Sequence, residues 1–234
     1  MIHVFVTHDA RIRDAAMAHF GLVEKMNASG VYQKLERILL WTESSPESLI
    51  ERAFGEFAAG QVWILSSANV VSTEHEVGDI VLPNVFLPYD AAIESTSFTK
   101  ENRDAFMRDP LFLSHYDEQD DIDFETFGLS IGGITVTKAD GMSAELQEQV
   151  DFAYSADCVD PVTYPMILAA KKLERSEEVY PVLAMVKYDG QPEENAKIFG
   201  HLFHVVEFLQ SPISQDDTVE VDLDDGFDDE EMDR

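Results

Sequence analysis

The sequence predicts an α/β fold, a three-layer α/β/α sandwich built on a mixed, largely parallel central sheet. Short runs of β-branched and aromatic residues alternate along the chain with segments of helical periodicity, the pattern that places helices on both faces of a sheet. The chain has 234 residues, of which 45% are hydrophobic, enough to bury a sizeable core. No internal repeat is visible. We therefore expect one domain over residues 1–212, followed by an acidic tail over residues 213–234.

The first half of the chain contains three predicted strands and two predicted helices. The first helix begins after a Thr7 or Asp9 cap, and the second begins at Pro46 after a serine pair, a favourable arrangement for a helix start. Gly60 ends the second helix. The strands are expected at 2–6, 37–42 and 62–65, and the helices at about 9–26 and 46–59.

The second half of the chain repeats the alternation after a long excursion. Residues 94–130 are polar and acidic and are expected to hold short helices and irregular chain. Prolines mark the beginnings of the last two helices. The strands are expected at 79–86, 131–137, 156–160 and 179–187, and the helices at 143–154, 161–174 and 192–210.

The net charge is the most unusual property of the composition. Sixteen basic residues face 46 acidic ones, for a formal net charge of −30. Such a surface repels phosphate backbones, so a nucleic-acid partner is not expected. Residues 215–234 hold 11 of the acidic residues and one arginine, too charged to fold alone. We interpret the tail as disordered and solubilising, with docking to a basic partner as the alternative.

The chain carries no signal of a membrane or an oxidising compartment. No apolar run approaches the length needed to cross a bilayer, and the first residues show no basic leader. Cys158 is the only cysteine, so an intrachain disulfide is excluded; its apolar neighbours predict a buried, inert thiol. We expect a cytoplasmic protein without a membrane partner.

Four segments that follow predicted strands carry residues capable of chemistry. In a parallel sheet such segments meet at one edge and can surround one ligand. Their hydroxyls, carboxylates and cations suit a sugar or nucleoside, together with phosphate or a water nucleophile. Taken singly, each is better explained as a capped turn between two elements. The segments are Thr7–Arg11, Ser66–Asn69, Lys138–Met142 and Lys187–Gly190.

Residues 61–92 resemble a family pattern. The Ser67-Ala68 pair after an apolar run, followed by the strand-like segment Val77–Val81, is similar to the GSAGG turn and VGDIVV strand of the nucleoside phosphorylase and nucleosidase superfamily. The resemblance covers about residues 46–210. It implies a small-molecule nucleoside or base as ligand, no cofactor apart from phosphate as a co-substrate, and a homo-oligomer.

The same resemblance assigns roles to individual residues. Asp90 stands in the segment similar to YHDAD, and Asp140 in the segment similar to an SGD turn. Val159 and Asp160 align with the element AVEMEA, which places Asp160 at the glutamate that grips the ribose hydroxyls. Asp189 stands at the aspartate that protonates the leaving purine, as general acid catalysis of glycosidic cleavage requires. The resulting substrate-binding set is Ser67, Ala68, Asp90, Asp140, Val159 and Asp160, with Asp189 and Lys187 as the catalytic pair.

Several positions depart from the family pattern and keep a second function open. Met185 replaces an arginine, Asp160 is one methylene shorter than the glutamate, and the turn at 66–70 lacks glycine. Lys187 lies two residues beyond Met185 and on the same strand face, where it would supply a cation. The alternative to an enzyme is a catalytically degenerate member that serves as a ligand-binding or scaffold protein.

No metal site is predicted. His201 and His204 are three residues apart on the last predicted helix and would share a face. Because the sequence offers no evident third ligand, packing is favoured over metal binding for this pair.

Overall fold

A computed structural model describes residues 3–26, 28–90, 108–114, 129–139, 144–186 and 192–210. Most of the predicted excursion and the whole predicted tail lie outside these residues, as do Asp140, Lys187 and Asp189. The predicted division into a domain and a tail therefore stays a prediction. Among the described helices, none combines the length and the apolar character needed to cross a bilayer.

Five α-helices, one short 3₁₀ helix (Ser176–Glu178) and twelve strands are described. The helices are α1 (Ala10–Phe20), α2 (Glu47–Gly55), α3 (Ala144–Tyr154), α4 (Thr163–Lys172) and α5 (Pro192–Gln210). The strands are β1 (His3–Thr7), β2 (Val23–Glu24), β3 (Val31–Lys34), β4 (Arg37–Trp41), β5 (Val62–Val70), β6 (Ile80–Leu82), β7 (Val85–Pro88), β8 (Leu111–Phe112), β9 (Leu129–Ile131), β10 (Ile134–Thr137), β11 (Cys158–Asp160) and β12 (Val179–Val186).

Strand β5 is the centre of the sheet. It pairs in parallel with β1 along one side and with β12 along the other, from Val62 opposite Val179 to Asn69 opposite Val186. Its last residues also pair with β11 in the antiparallel direction. On the far side of β1, parallel β4 and then antiparallel β3 and β2 extend the sheet. The sheet is mixed, with a parallel centre, as predicted.

The other half of the sheet curls back onto β5. Strand β12 pairs with β6, the chain continues from β6 to β7, and β7 pairs with β10, which pairs with β11. Because β11 pairs with β5, the strands β5, β12, β6, β7, β10 and β11 form a closed circuit. Only the step from β6 to β7 in this circuit is made by the chain and not by hydrogen bonds. A small apolar cluster of buried side chains is associated with these strands: Ala68, Val81, Cys158, Leu183 and Met185.

Helices cover both faces of the sheet, which confirms the predicted sandwich. On one face, α1 and α5 bury a cluster that includes Phe5, Phe20 and Phe203. On the other, α2 and α4 pack on a cluster that includes Ile50, Ile64 and Met166. Adjacent residues of β5 alternate between these two clusters, as the two-residue period of a strand requires.

The structure corrects several predicted boundaries. The strand expected at 62–65 continues to Val70, so the expected turn at 66–69 is part of β5. The first helix ends at Phe20 because Gly21 adopts a left-handed conformation. The strand expected at 79–86 is two strands, β6 and β7, and β9 and β10 likewise replace the one expected at 131–137. Strands β2, β3 and β8 were not predicted.

Candidate functional site

The first part of the site lies where β1 and β5 approach α1. Val6 of β1 pairs with Ile64 of β5. Asp9, which caps α1, is three residues after Val6, and Ser67 of β5 is three residues after Ile64. The parallel register therefore brings these two residues to the same level, and Ser67 donates a hydrogen bond to Asp9 Oδ2 over 2.7 Å.

Arg11 completes this cluster. Its guanidinium donates to Asp9 through Nε at 3.0 Å and through Nη2 at 2.7 Å, and the same Nη2 donates to Ser67 Oγ at 3.0 Å. Its backbone N–H also donates to Asp9 Oδ1 at 2.8 Å, which is the N-cap bond of α1. One carboxylate thus caps a helix and holds a cation in a bidentate pair.

The electrostatics of the cluster keep Asp9 ionised. Burial alone would raise the pKa of Asp9, but the hydrogen bonds from Arg11 and Ser67 outweigh it and hold the pKa below its ordinary value. The same bond raises the pKa of Arg11. The cluster is an ion pair in which Asp9 balances the charge of Arg11, whose side chain is 49% exposed.

Neither Asp9 nor Arg11 was assigned a role in the site, although Asp9 was predicted as one of two possible caps of the first helix. The loop containing them was predicted to lie at the site because it follows a strand, and the Asp-x-Arg sequence in it is the signal that could have identified the pair. His8, between β1 and Asp9, adds a buried Nδ1 atom with no hydrogen-bond partner among the described residues. Such an atom is a candidate ligand contact.

Asp160 forms a second polar cluster at the start of α4. It ends β11 with only 1% of its surface exposed. Oδ2 accepts the backbone N–H groups of Val162 at 3.0 Å and Thr163 at 2.8 Å and the Thr163 hydroxyl at 2.5 Å, while Oδ1 accepts the Thr137 hydroxyl at 2.8 Å. In this geometry the carboxylate satisfies orphan donors at a helix N-terminus.

The donors that surround Asp160 do not fully compensate its burial. Desolvation raises the pKa of Asp160, although the hydrogen bonds from Thr163, Val162 and Thr137 act in the opposite direction. Oδ1 accepts one of these bonds and retains capacity for another. A ribose hydroxyl would have to reach that oxygen inside the fold.

The two polar clusters contact adjacent residues of β5. Ser67 contacts Asp9 on the α1 side, whereas its neighbour Ser66 donates to Asp160 Oδ2 at 3.4 Å. Since successive strand residues point to opposite faces, Ser66 rather than Ser67 joins Asp160. The side chains of Ser67 and Asp160 were expected to face one ligand. They belong instead to two clusters that lie on opposite sides of β5.

The remaining described site residues are less available to a ligand. Ala68 and Val159 are 2% exposed and belong to apolar clusters. Asp90 is half-buried beyond β7, and its N–H donates to Tyr154 Oη at 2.9 Å. Burial raises the pKa of Tyr154 to about 12, so its phenol stays protonated.

The strand that leads to the predicted catalytic pair extends two residues beyond Ala184, the residue opposite Ser67. Val186, the last described residue of β12, lies opposite Asn69 of β5. Met185, at the position of the family's arginine, is fully buried in the apolar cluster with Cys158. Burial strongly raises the pKa of the Cys158 thiol, which fits the inert cysteine that was predicted.

Comparison with known proteins supports the fold. The sequence matches no protein-family model and no curated protein sequence. The structure is similar to that of a Campylobacter jejuni 5′-methylthioadenosine/S-adenosylhomocysteine nucleosidase, with a TM-score of 0.64 and 13% identity over 89% of this chain and 96% of that one.

Two further solved structures give the same result. A 5′-methylthioadenosine nucleosidase from Arabidopsis thaliana has a TM-score of 0.63 and 17% identity, over 89% of this chain and 96% of that one. A futalosine hydrolase from Helicobacter pylori has a TM-score of 0.61 and 11% identity, over 88% and 98%. All three structures share the fold of this chain, which is the fold that the resemblance implied.

Proposed function

We propose that this protein is a nucleosidase that binds a purine nucleoside beside the Asp9–Arg11–Ser67 cluster and cleaves its N-glycosidic bond with water. In this reaction the bond between the sugar and the base nitrogen breaks. Water supplies a hydroxyl to the anomeric carbon, and an acid protonates the leaving base. The nucleosidase-like fold supports the reaction class, and the cluster supports the choice of water.

The observation that carries the choice is the ionised Asp9, which lies in the loop that replaces the family's phosphate-binding glycine turn. The family resemblance associates the N-terminal loop with phosphate binding, and here that loop presents a carboxylate 2.7 Å from Ser67 Oγ. Phosphate next to a carboxylate is repelled, and Arg11, the nearby cation, is already paired. Hydrolysis therefore suits the site better than phosphorolysis.

Asp189 remains the proposed general acid, with Lys187 as the neighbouring cation. Both follow β12, whose last described residue is level with Asn69. A positioned acid contributes about 10²–10⁴-fold to such a reaction because the base is a poor leaving group as an anion. The family resemblance adds Ser67, Asp90, Asp140 and Asp160 to the proposed site, although Asp160 lies across β5 from Ser67. A second copy of the chain is the expected partner.

The test is base release by the full-length protein from purine nucleosides, including methylthioadenosine and futalosine, with and without phosphate. We expect release without phosphate and no stimulation by it. D189N should reduce kcat by about 10²-fold or more, whereas D151N, at an exposed aspartate on α3, should not. A strict phosphate requirement would overturn the hydrolytic assignment.

A second candidate function is nucleoside binding without turnover. It is favoured by Asp160, whose oxygens already accept four bonds from Thr137, Val162 and Thr163, and by the apolar surroundings of Met185. In that case a nucleoside raises the melting temperature by mass action, yet no base is released and D189N leaves the affinity unchanged.

A further inference from the structure

Three potential metal ligands meet on the surface formed by α1 and α5, on the face that carries Phe20 and Phe203. His19 lies in the last turn of α1. His204 and Glu207 are one helical turn apart on α5, so both can point to the same partner. This surface belongs to neither polar cluster of the candidate site.

We propose that His19, His204 and Glu207 bind a divalent transition-metal ion of the Zn²⁺ class and thereby link α1 to α5. Two imidazoles and one carboxylate are a donor set that suits zinc and its neighbours in the first transition row. Hard cations such as Mg²⁺ and Ca²⁺ prefer oxygen ligands alone. The set leaves at least one coordination position for water or an exogenous ligand.

The distances between the donor atoms are close to those of a metal site. Nε2 of His19 is 3.4 Å and Nδ1 of His204 is 3.8 Å from the same carboxylate oxygen, Glu207 Oε2. All three donor atoms lie within 4.8 Å of one another. Ligands about 2.0–2.2 Å from a tetrahedral ion lie roughly 3.3–3.6 Å apart. The distances from Glu207 Oε2 to His19 Nε2 and to His204 Nδ1 therefore need little change.

The remaining adjustment, which brings the two histidine nitrogens closer together, can be made by the His204 side chain. His204 is 72% exposed, whereas His19 is 23% and Glu207 33% exposed. Rotation of an exposed imidazole on the helix surface meets little resistance from packing. The distance between the ligand nitrogens of the two histidines can therefore shorten without a backbone shift.

The other two ligands are held in place by neighbours. The His19 ring stands edge-on to Phe20 at 4.7 Å and lies 5.1 Å from Phe203. Arg37 donates from Nη2 to Glu207 Oε1 at 2.8 Å, which leaves Oε2 turned toward both histidines. Such outer contacts orient a ligand before the ion arrives.

Arg37 also sets a limit on the affinity. Its charge opposes that of a dication, so binding should be weaker than at a closed structural zinc site. The competing explanation is a metal-free cluster, in which Glu207 pairs with Arg37 and the histidines only pack. The two explanations differ in whether a metal ion binds with a defined stoichiometry at these residues.

The test is titration of the chelator-stripped, full-length protein with Co²⁺, followed by its visible absorption, and then with competing Zn²⁺. Millimolar Mg²⁺ is present throughout to occupy all-carboxylate sites, including those of the acidic C-terminal residues. We expect one equivalent of tetrahedral Co²⁺, displaced by Zn²⁺. H204Q and E207Q should each weaken binding by about tenfold or more.

The control is E194Q, which removes an exposed carboxylate from the same helix and should leave the titration unchanged. Zn²⁺ should also raise the melting temperature of the unsubstituted protein but not that of H204Q, because it binds only the folded state. His204 is largely exposed, so this variant is expected to fold. Absence of saturable binding, or binding unaffected by H204Q and E207Q, would overturn the proposal.

Discussion

Asp9 joins stability and function at a single residue. Its carboxylate caps α1, pairs with Arg11 and accepts the Ser67 hydroxyl. Because its pKa is lowered in the folded state, the stability that its ionised form contributes is present above its unfolded pKa. That contribution is lost as the pH falls through the folded pKa.

This linkage predicts the behaviour of two variants. D9A removes the cap and the ion pair and should lower the free energy of unfolding at pH 7 by about 0.5–2 kcal/mol. D9N keeps a capping side chain and should lose less. Urea unfolding at several pH values checks this. The deficit of D9N should shrink below about pH 4, where unfolded aspartate is protonated; a deficit that persists there would contradict an electrostatic origin.

Sequence patterns indicated the loops that form the first polar cluster, but they did not identify all of its residues. Ser67 was predicted from its place after an apolar run, and it does contact the loop after β1. Its partner, Asp9, was missed because only the register of β1 on β5 shows that they are level. The alternation along β5 likewise decides that Ser66, and not Ser67, contacts Asp160. That alternation became informative only when the strand was seen to continue past Leu65.

At the level of elements, the Gly132-Gly133 pair divides one predicted strand into β9 and β10. Gly132 has φ +89° and Gly133 has φ +103°, a backbone region that side-chain-bearing residues rarely adopt. A Cβ atom on Gly133 would lie 2.5 Å from Asp157 Oδ2, the atom that accepts the Ile134 N–H at 2.6 Å. On Gly132 it would meet only Asn84 atoms at 3.7 Å or more.

The pair therefore supplies a matched comparison. G132A should cost roughly 1–3 kcal/mol of unfolding free energy through backbone strain. G133A should cost more, because it also displaces the Asp157 carboxylate from a backbone donor. Chemical denaturation with an unchanged m-value measures both. Equal losses of unfolding free energy in the two variants would show that the contact with Asp157 does not contribute to stability.

Element type was more predictable than element boundary. The last helix was predicted at 192–210 and is found there, since a proline start and a long apolar stripe define it. The break between β6 and β7 falls at Pro83-Asn84, a local breaker signal that was outweighed in the prediction by the apolar, strand-like residues on both sides. Only their partners differ, with β12 and β9 beside β6 and β10 and β8 beside β7. Pairing partners are a property of the whole sheet and leave no local signal.

At the scale of the whole molecule, the charge of −30 opposes compactness. Raising NaCl from about 0.01 to 0.15 M shortens the screening length from about 30 to 8 Å and should raise the melting temperature. A variant that ends at residue 212 loses a charge of −10. If the removed segment only repels the rest, this variant should melt higher at low salt and converge with the full chain at high salt. A lower melting temperature at every salt concentration would mean that the segment contacts the domain.

The pairing of β5 with β12 has a consequence for the order in which the molecule can form. The two strands are neighbours along their whole length, yet paired residues are 117 positions apart in the chain, as for Asn69 and Val186. During synthesis, β1 to β5 leave the ribosome long before β12 exists. One edge of β5 then has no strand to pair with, and unpaired edges recruit other chains. The central strand of the finished protein thus has an unpaired edge while the chain is being made. Folding must wait for a distant contact, which slows it.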